Sequence, residues 1–218
     1  MEKLIYILQT YSGMLLESLG QTMLLTLLSL IFAFIIGLVF GLMNIGTVYV
    51  DAVRGVPLIV LAYFIYFGVP AAIKAAGFTD FKLTALQAGT IALSMNAGAY
   101  MAEIFRAGIQ SVDKGQMEAA RSLGLGYGKA MQKVVLPQAI RTMVPSIINQ
   151  FIISLKDTSI LSVIGFPELT KAGNIIVGNT FAVAQVWGVV AIMYMIVITV
   201  LSKIAKRIER RLNVGKER

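Results

Sequence analysis

Few side chains in this sequence are equipped for chemistry, and their spacing narrows what that chemistry is. The 218 residues include no cysteine and no histidine. Disulfides, thiolate nucleophiles, imidazole bases and Cys/His zinc sites are thereby excluded. What remains is a set of carboxylates, amides and hydroxyls in apolar surroundings. Asn96, Tyr100 and Glu103 follow an i, i+4, i+7 pattern and share one helix face. Glu103 follows a stretch, Leu83 to Ala102, that carries no charge, and a carboxylate at membrane depth is a functional candidate by default. It can hold an ammonium or guanidinium group, or pair with Arg106 at i, i+3. Asp157, Thr158 and Ser159, with Lys156, interrupt a second apolar run. Backbone N–H groups at the start of a half-helix there, with the two hydroxyls, would receive a carboxylate. The other reading of Asp157 is a local helix cap or a pair with Lys156. Asn149 and Gln150 read as interhelical hydrogen-bonding residues.

The elements that must position these groups follow from composition. Hydrophobic residues make up 57% of the chain and charged residues 14%, with a mean hydropathy of +0.80, far from the values of a soluble domain. One all-α, polytopic membrane domain covering residues 1–218 is expected. Leu4, Ile5, Leu8, Tyr11 and Leu15 fall at helical spacing, which predicts an interfacial helix over 3–16. From Ser18 to Val50 there is no charge, and a first span is placed at 18–43. Within it Gly37 and Gly41 form a GxxxG pair suited to close helix packing. A short polar turn, Tyr49 to Pro57, leads into a second span at 56–74, with Tyr63, Phe64, Tyr66 and Phe67 as an interfacial aromatic belt. After an outer turn at Gly77 to Lys82, a third span runs from Leu83 toward Val112, and a fourth from Pro137 to Leu155. A further helical pattern starts at Ile160, Pro167 and Glu168 open an irregular stretch, and a fifth span occupies 183–203. Residues 203–218 read as a solvated basic helix end. Met1-Glu2-Lys3 does not open a cleavable signal peptide, so insertion by the first span is expected.

Orientation follows from the basic residues. Segments 43–56, 106–141 and 203–218 hold 1, 6 and 7 of the 19 Lys and Arg residues, 14 in all. That side is assigned to the cytoplasm. Five spans then put the N-terminus outside and the C-terminus inside. The net charge of +8 is accounted for by this placement and implies membrane lipid, not nucleic acid, as its neighbour.

The longest charge-rich interval between apolar segments is Asp113 to Pro137, on the cytoplasmic side of this scheme. Asp113 can cap a helix, with Gln116 reaching back as in a capping box, and Gly124 suits the left-handed residue that ends it. A second helix is predicted over Tyr127 to Val134, and Pro137 fixes the start of the next. Met117, Ala120, Leu123 and Leu125 would form an apolar contact face on this elbow. No GxxxxGK[ST] phosphate loop occurs anywhere, so any nucleotide-driven work must come from another chain.

Glu118-Ala119-Ala120, Gly124, and Leu136-Pro137 with Val134 in place of an isoleucine resemble the signature loop of the permease subunits of binding-protein-dependent ABC importers. YVDAVRGVPL at 49–58, NAGAYMAEIFRAGIQSV at 96–112 and SLKDTSILSVIGFPEL at 154–169 are similar to segments of polar amino acid permeases. The connection Met43-Asn44-Ile45-Gly46 is shorter than is usual in that family. The resemblance implies a cytoplasmic coupling helix, with Glu118, Ala119, Ala120, Arg121 and Gly124 engaging a groove on a separate ATPase. It further implies two copies of that ATPase, which would carry ATP and Mg, and no cofactor in this chain. A second permease core, read as another copy of this chain, and an extracytoplasmic solute-binding protein complete the implied assembly. The substrate implied is a polar amino acid, basic if Glu103 selects cations, held by Asn96, Tyr100, Glu103, Asp157, Thr158 and Ser159. An ion-driven secondary transporter or channel is the competing reading, and an intramembrane enzyme a more distant one.

Overall fold

Without a proline between Glu2 and Leu42, the first part of the chain winds into one helix, α1 (Glu2–Leu42), of 41 residues. At ~1.5 Å per residue it is roughly 60 Å long, about twice the apolar thickness of a bilayer. A separate interfacial helix over 3–16 is therefore not formed. Ile7 and Leu15, with Leu4 and Tyr11 beside them, pack against helices near the other end of the chain, so protein contacts hold this segment in line with the rest of α1. The computed structural model describes residues 2–43, 46–78 and 81–213. Asn44 and Ile45 of the short connection, Thr79 and Asp80 of the outer turn, and the tail from Val214 lie outside the described residues.

After the connection the chain forms α2 (Gly46–Arg54), where a polar turn was expected. Gly46, Val50 and Val53 give it a buried face at helical spacing. Then follow α3 (Leu58–Tyr63), a π-turn at Phe64–Gly68, and α4 (Val69–Ala75). A second π-turn, Met131–Val135, joins α7 (Tyr127–Ala130) to α8 (Leu136–Asp157). Each π-turn ends two residues before a proline, Pro70 or Pro137. A proline ring collides with the carbonyl four residues back in an α-helix, and one extra residue in the preceding turn relieves that collision. Pro137 thus continues a helix instead of starting one, and Tyr127 to Ile164 is a single helical rod.

The centre of the bundle is α5 (Ala85–Gln110), begun by a capping box in which Thr84 and Gln87 exchange hydrogen bonds. Its buried residues are mostly small, among them Ala88, Ala92, Ala97, Ala99 and Ala102. That lets α1 lie directly against it at Gly37 and Gly41. The elbow contains α6 (Lys114–Ser122). Residues 169–180, expected to be irregular, form α9 (Leu169–Thr180), and the chain ends in α10 (Val183–Asn213). The fully buried Glu168 caps α9, accepting from the N–H groups of Thr170 (2.8 Å) and Lys171 (2.6 Å) and from the Tyr194 hydroxyl (2.8 Å). Burial pushes its carboxyl above the ordinary value, and these hydrogen bonds offset part of that shift.

Among the described residues every regular element is helical. Four stretches, Glu2–Gly41, Leu58–Ala75, Tyr127–Ile164 and Val183–Glu209, are long and apolar enough to cross a membrane. The chain is a multi-pass membrane protein. Helix α5 does not join these four on composition, because its neighbours are protein and its surface is built from Ala, Gly, Ser and Asn.

Candidate functional site

Helix α2 is held against α5 from its own first turn. The Tyr49 hydroxyl donates to the Met95 carbonyl at 2.7 Å, and its ring stacks on Phe40 at 4.3 Å. Burial pushes that hydroxyl up to about 12. This anchoring brings Arg54, the last residue of α2, beside the middle of α5. There its guanidinium forms an ion pair with Glu103 and lies 4.8 Å from the centre of the Tyr100 ring. The local pair of Glu103 with Arg106 is not formed. A residue from another element takes the carboxylate instead. Neither partner is deeply buried, Arg54 being 37% and Glu103 42% exposed.

Glu103 also stands at the edge of a cleft of about 400 Å³ between α5 and α8. Tyr100, Glu103 and Ser111 line one wall; Thr142, Ser146 and Gln150 line the other. The three residues on α8 recur every four positions, a polar stripe along one helix face. Gln150 is nearly buried, and its amide nitrogen approaches the Ser154 hydroxyl at 3.4 Å, within its own helix and not across to another. An anionic edge facing a wall of neutral donors and acceptors suits a small cationic or zwitterionic molecule with a polar body. Tyr100 and Glu103 are thus brought together, while Asn96 is buried a turn away and does not line the cleft.

The second expected group is arranged differently. Helix α8 does not break at Asp157. It runs straight into a 3₁₀ segment, Thr158–Ile164, that ends at Gly165 with φ +83°. The Thr158 N–H donates back to the Ser154 carbonyl, the Thr158 hydroxyl to Leu155 O (2.7 Å) and the Ser159 hydroxyl to Lys156 O (2.7 Å). Hydroxyls that fold back onto carbonyls three residues earlier keep the chain helical, so no half-helix start is available to receive a carboxylate. Asp157 follows Gln150 by two turns on α8, about 10 Å further along, and is outside the cleft.

The elbow has the geometry its spacing suggests. Asp113 caps α6 by accepting from the Gly115 N–H at 2.7 Å. The reciprocal bond expected from Gln116 is replaced by a contact of its side chain with Gln138. At the other end Gly124 has φ +84°. Its N–H donates to Arg121 O, and the Leu125 N–H donates to Ala120 O, the paired bonds of a Schellman motif. Ala120 is buried beneath the helix, whereas Ala119 is exposed and Leu123, expected on the apolar contact face, is 85% exposed. Glu118 and Arg121 line a shallow depression with Lys114, Met117 and Ser122.

Sequence reasoning did not select Arg54, whose partner is on a distant element and leaves no periodic trace. It also passed over Thr142, Ser146 and Gln150, although their four-residue spacing in an apolar span was an available signal.

The model of the family "Binding-protein-dependent transport system inner membrane component" matches residues 26–214. The glutamine transport system permease protein GlnP of Escherichia coli K12 is 37% identical over 210 residues, covering 92% of this chain and 94% of the relative. The arginine transport system permease protein ArtQ of Bacillus subtilis is 33% identical over 207 residues, covering 91% and 92%. Among solved structures, an amino acid ABC transporter crystallised with histidines matches with a TM-score of 0.86 and 36% identity, over 94% of this chain and 96% of that one. An inward-facing MetNI methionine ABC transporter shares the fold with a TM-score of 0.78 at 21% identity, over 93% and 97%.

Proposed function

Because the chain belongs to the binding-protein-dependent transport system inner membrane component family, whose members are transport permeases and not catalytic subunits, we propose that it forms half of the translocation path of an ATP-driven amino acid importer. The substrate is a polar amino acid. In this reading α5 is the fifth span, shielded from lipid by its neighbours. The N-terminus lies outside, and the elbow and C-terminus lie in the cytoplasm. Two copies of this chain face each other, each docked through Glu118, Ala119, Ala120, Arg121 and Gly124 to an ATPase subunit that binds ATP and Mg. An extracytoplasmic binding protein delivers the substrate.

The observation that carries this reading is the continuity of the rod from Tyr127 to Ile164. Its lower end emerges from the elbow, and its middle supplies Thr142, Ser146 and Gln150 to the cleft wall. Closure of the ATPase subunits would displace the elbow, and a rigid rod would move the cleft wall with it. Glu103 offers the anionic contact for the substrate's cationic group. Asn96, Asp157, Thr158 and Ser159 play no direct part in holding it in the present geometry.

The test is uptake of labelled glutamine and arginine into proteoliposomes containing this chain, an ATPase subunit and a binding protein. Uptake should require ATP, and Glu103→Gln should reduce it by about tenfold to a hundredfold, the worth of one charge-assisted hydrogen bond. A larger loss for arginine than for glutamine would assign Glu103 to basic side chains; equal losses would assign it to the shared ammonium. Uptake that continues without the ATPase would overturn the proposal.

A further inference from the structure

Building on the cleft as the substrate site, we infer that Arg54 is a displaceable stand-in for substrate on Glu103. The pair opens to receive an α-amino acid zwitterion, with its ammonium on Glu103 and its carboxylate on Arg54.

Three features lead to this. The first is weakness by design: both partners are more than a third exposed, and ion pairs of that exposure contribute little to stability. A staple between α2 and α5 is already supplied by the Tyr49 bond to Met95 and by buried Val50 and Val53. The second is mobility. Arg54 is the final residue of α2, and Gly55 and Pro57 follow in a turn. Its side chain can therefore swing without disturbing the packed face of the helix. The Tyr100 ring, 4.8 Å from the guanidinium, gives the cation a second resting place beside the carboxylate.

The third is charge accounting. An amine that replaced Arg54 on Glu103 would leave a guanidinium without a partner at membrane depth, and an incoming carboxylate alone would strand Glu103. Both outcomes are unfavourable there. A zwitterion satisfies both groups in one exchange, and its side chain then enters the cleft toward Thr142, Ser146 and Gln150. On this view Glu103 selects for the shared backbone charges of amino acids, not for a basic side chain.

The experiment is equilibrium binding of labelled glutamine and arginine to the purified permease–ATPase complex, with the binding protein omitted so that its own specificity does not enter. The competitors are the unlabelled amino acid, its carboxamide (no carboxylate) and its N-acetyl derivative (no ammonium). Wild type should bind both analogues at least about tenfold more weakly than the amino acid. In Arg54→Gln the carboxamide should match the amino acid to within about twofold, while the N-acetyl form stays weak. In Glu103→Gln the reverse should hold. Arg54→Gln/Glu103→Gln, which leaves neither charge stranded, should lose both preferences and guards against misfolding of either single variant. A carboxamide penalty that persists in Arg54→Gln or in the double variant would overturn the inference alone. If wild type binds neither amino acid, or Glu103→Gln binds both unchanged, the assignment of the cleft itself falls.

Discussion

Gly37 of α1 lies so close to Met101 of α5 that a β-carbon on the glycine would stand 2.5 Å from the methionine's own, and 3.0 Å from its backbone carbonyl carbon. Neither atom is the far end of a flexible side chain, so the helices themselves would have to separate. Gly37→Ala should destabilise the permease by about 1–3 kcal/mol, the usual penalty of overpacking. Gly20→Ala, in the same helix with nothing within 4 Å of the added carbon, should be neutral or mildly stabilising. Thermal unfolding followed by gel filtration compares the two, and equal behaviour would contradict the close approach.

Gly124 presents the opposite case. A β-carbon there would meet nothing within 4 Å, but its φ of +84° is one that side chains resist. Gly124→Ala should therefore act through the backbone alone, costing about 1–2 kcal/mol at the elbow. Gly126→Ala and Gly128→Ala, equally uncrowded and without positive φ, should be tolerated. Co-purification with the ATPase subunit and substrate-stimulated hydrolysis should fall for the first variant and not for the other two.

Glu168→Ala removes the cap of α9 and the acceptor of the Tyr194 hydroxyl. A lost cap costs about 0.5–2 kcal/mol, and Tyr194 keeps only its contact with Thr170. Limited proteolysis should cut near residues 165–182 faster than in wild type. The pH dependence has a definite sign. Burial raises this carboxyl above its ordinary 4.5, so the folded state holds the proton more tightly than the unfolded one. The associated stability is complete below that ordinary value and is lost as pH rises through the raised one. The Tm of wild type relative to Glu168→Gln should increase as pH is lowered from about 7 to about 5.

At the alkaline end Tyr49 is the group to watch. Its contribution is present below the ordinary tyrosine value of 10.0 and disappears as pH rises to about 12. Tyr49→Phe should cost about 0.5–1.5 kcal/mol at neutral pH for the bond to Met95 O. It should also lack the loss of stability that wild type shows between those two pH values, read by Tm against pH.

Particular residues show where the fold was legible beforehand and where it was not. Gly37 with Gly41, the cap at Asp113 and the left-handed Gly124 could be read directly, since each states a local geometric need in its residue type. Glu103 stood out as a charge among apolar neighbours. Its partner did not, because Arg54 reaches it only through the docking of α2, and docking is a tertiary event with no periodic signature. The stretch 169–180 looked irregular because Gly173, Asn174 and Gly178 are poor helix formers, yet a buried cap and packing by Leu169, Ala172 and Ile176 hold it as α9. At Asp157 the error ran the other way. A polar tetrapeptide read as a break, whereas its hydroxyls bond backward and leave the helix running.

The π-turn at Met131–Val135 has a mechanical consequence. One surplus residue in a helix advances the phase of everything before it by about 100° relative to everything after it. The azimuth at which the elbow meets its neighbour is thus decoupled from the azimuth at which Thr142, Ser146 and Gln150 look into the cleft. Yet the two ends stay joined in one shaft. Deleting a single residue from that turn would leave both surfaces chemically intact and aim one of them the wrong way, producing a subunit that assembles or conducts but does not do both.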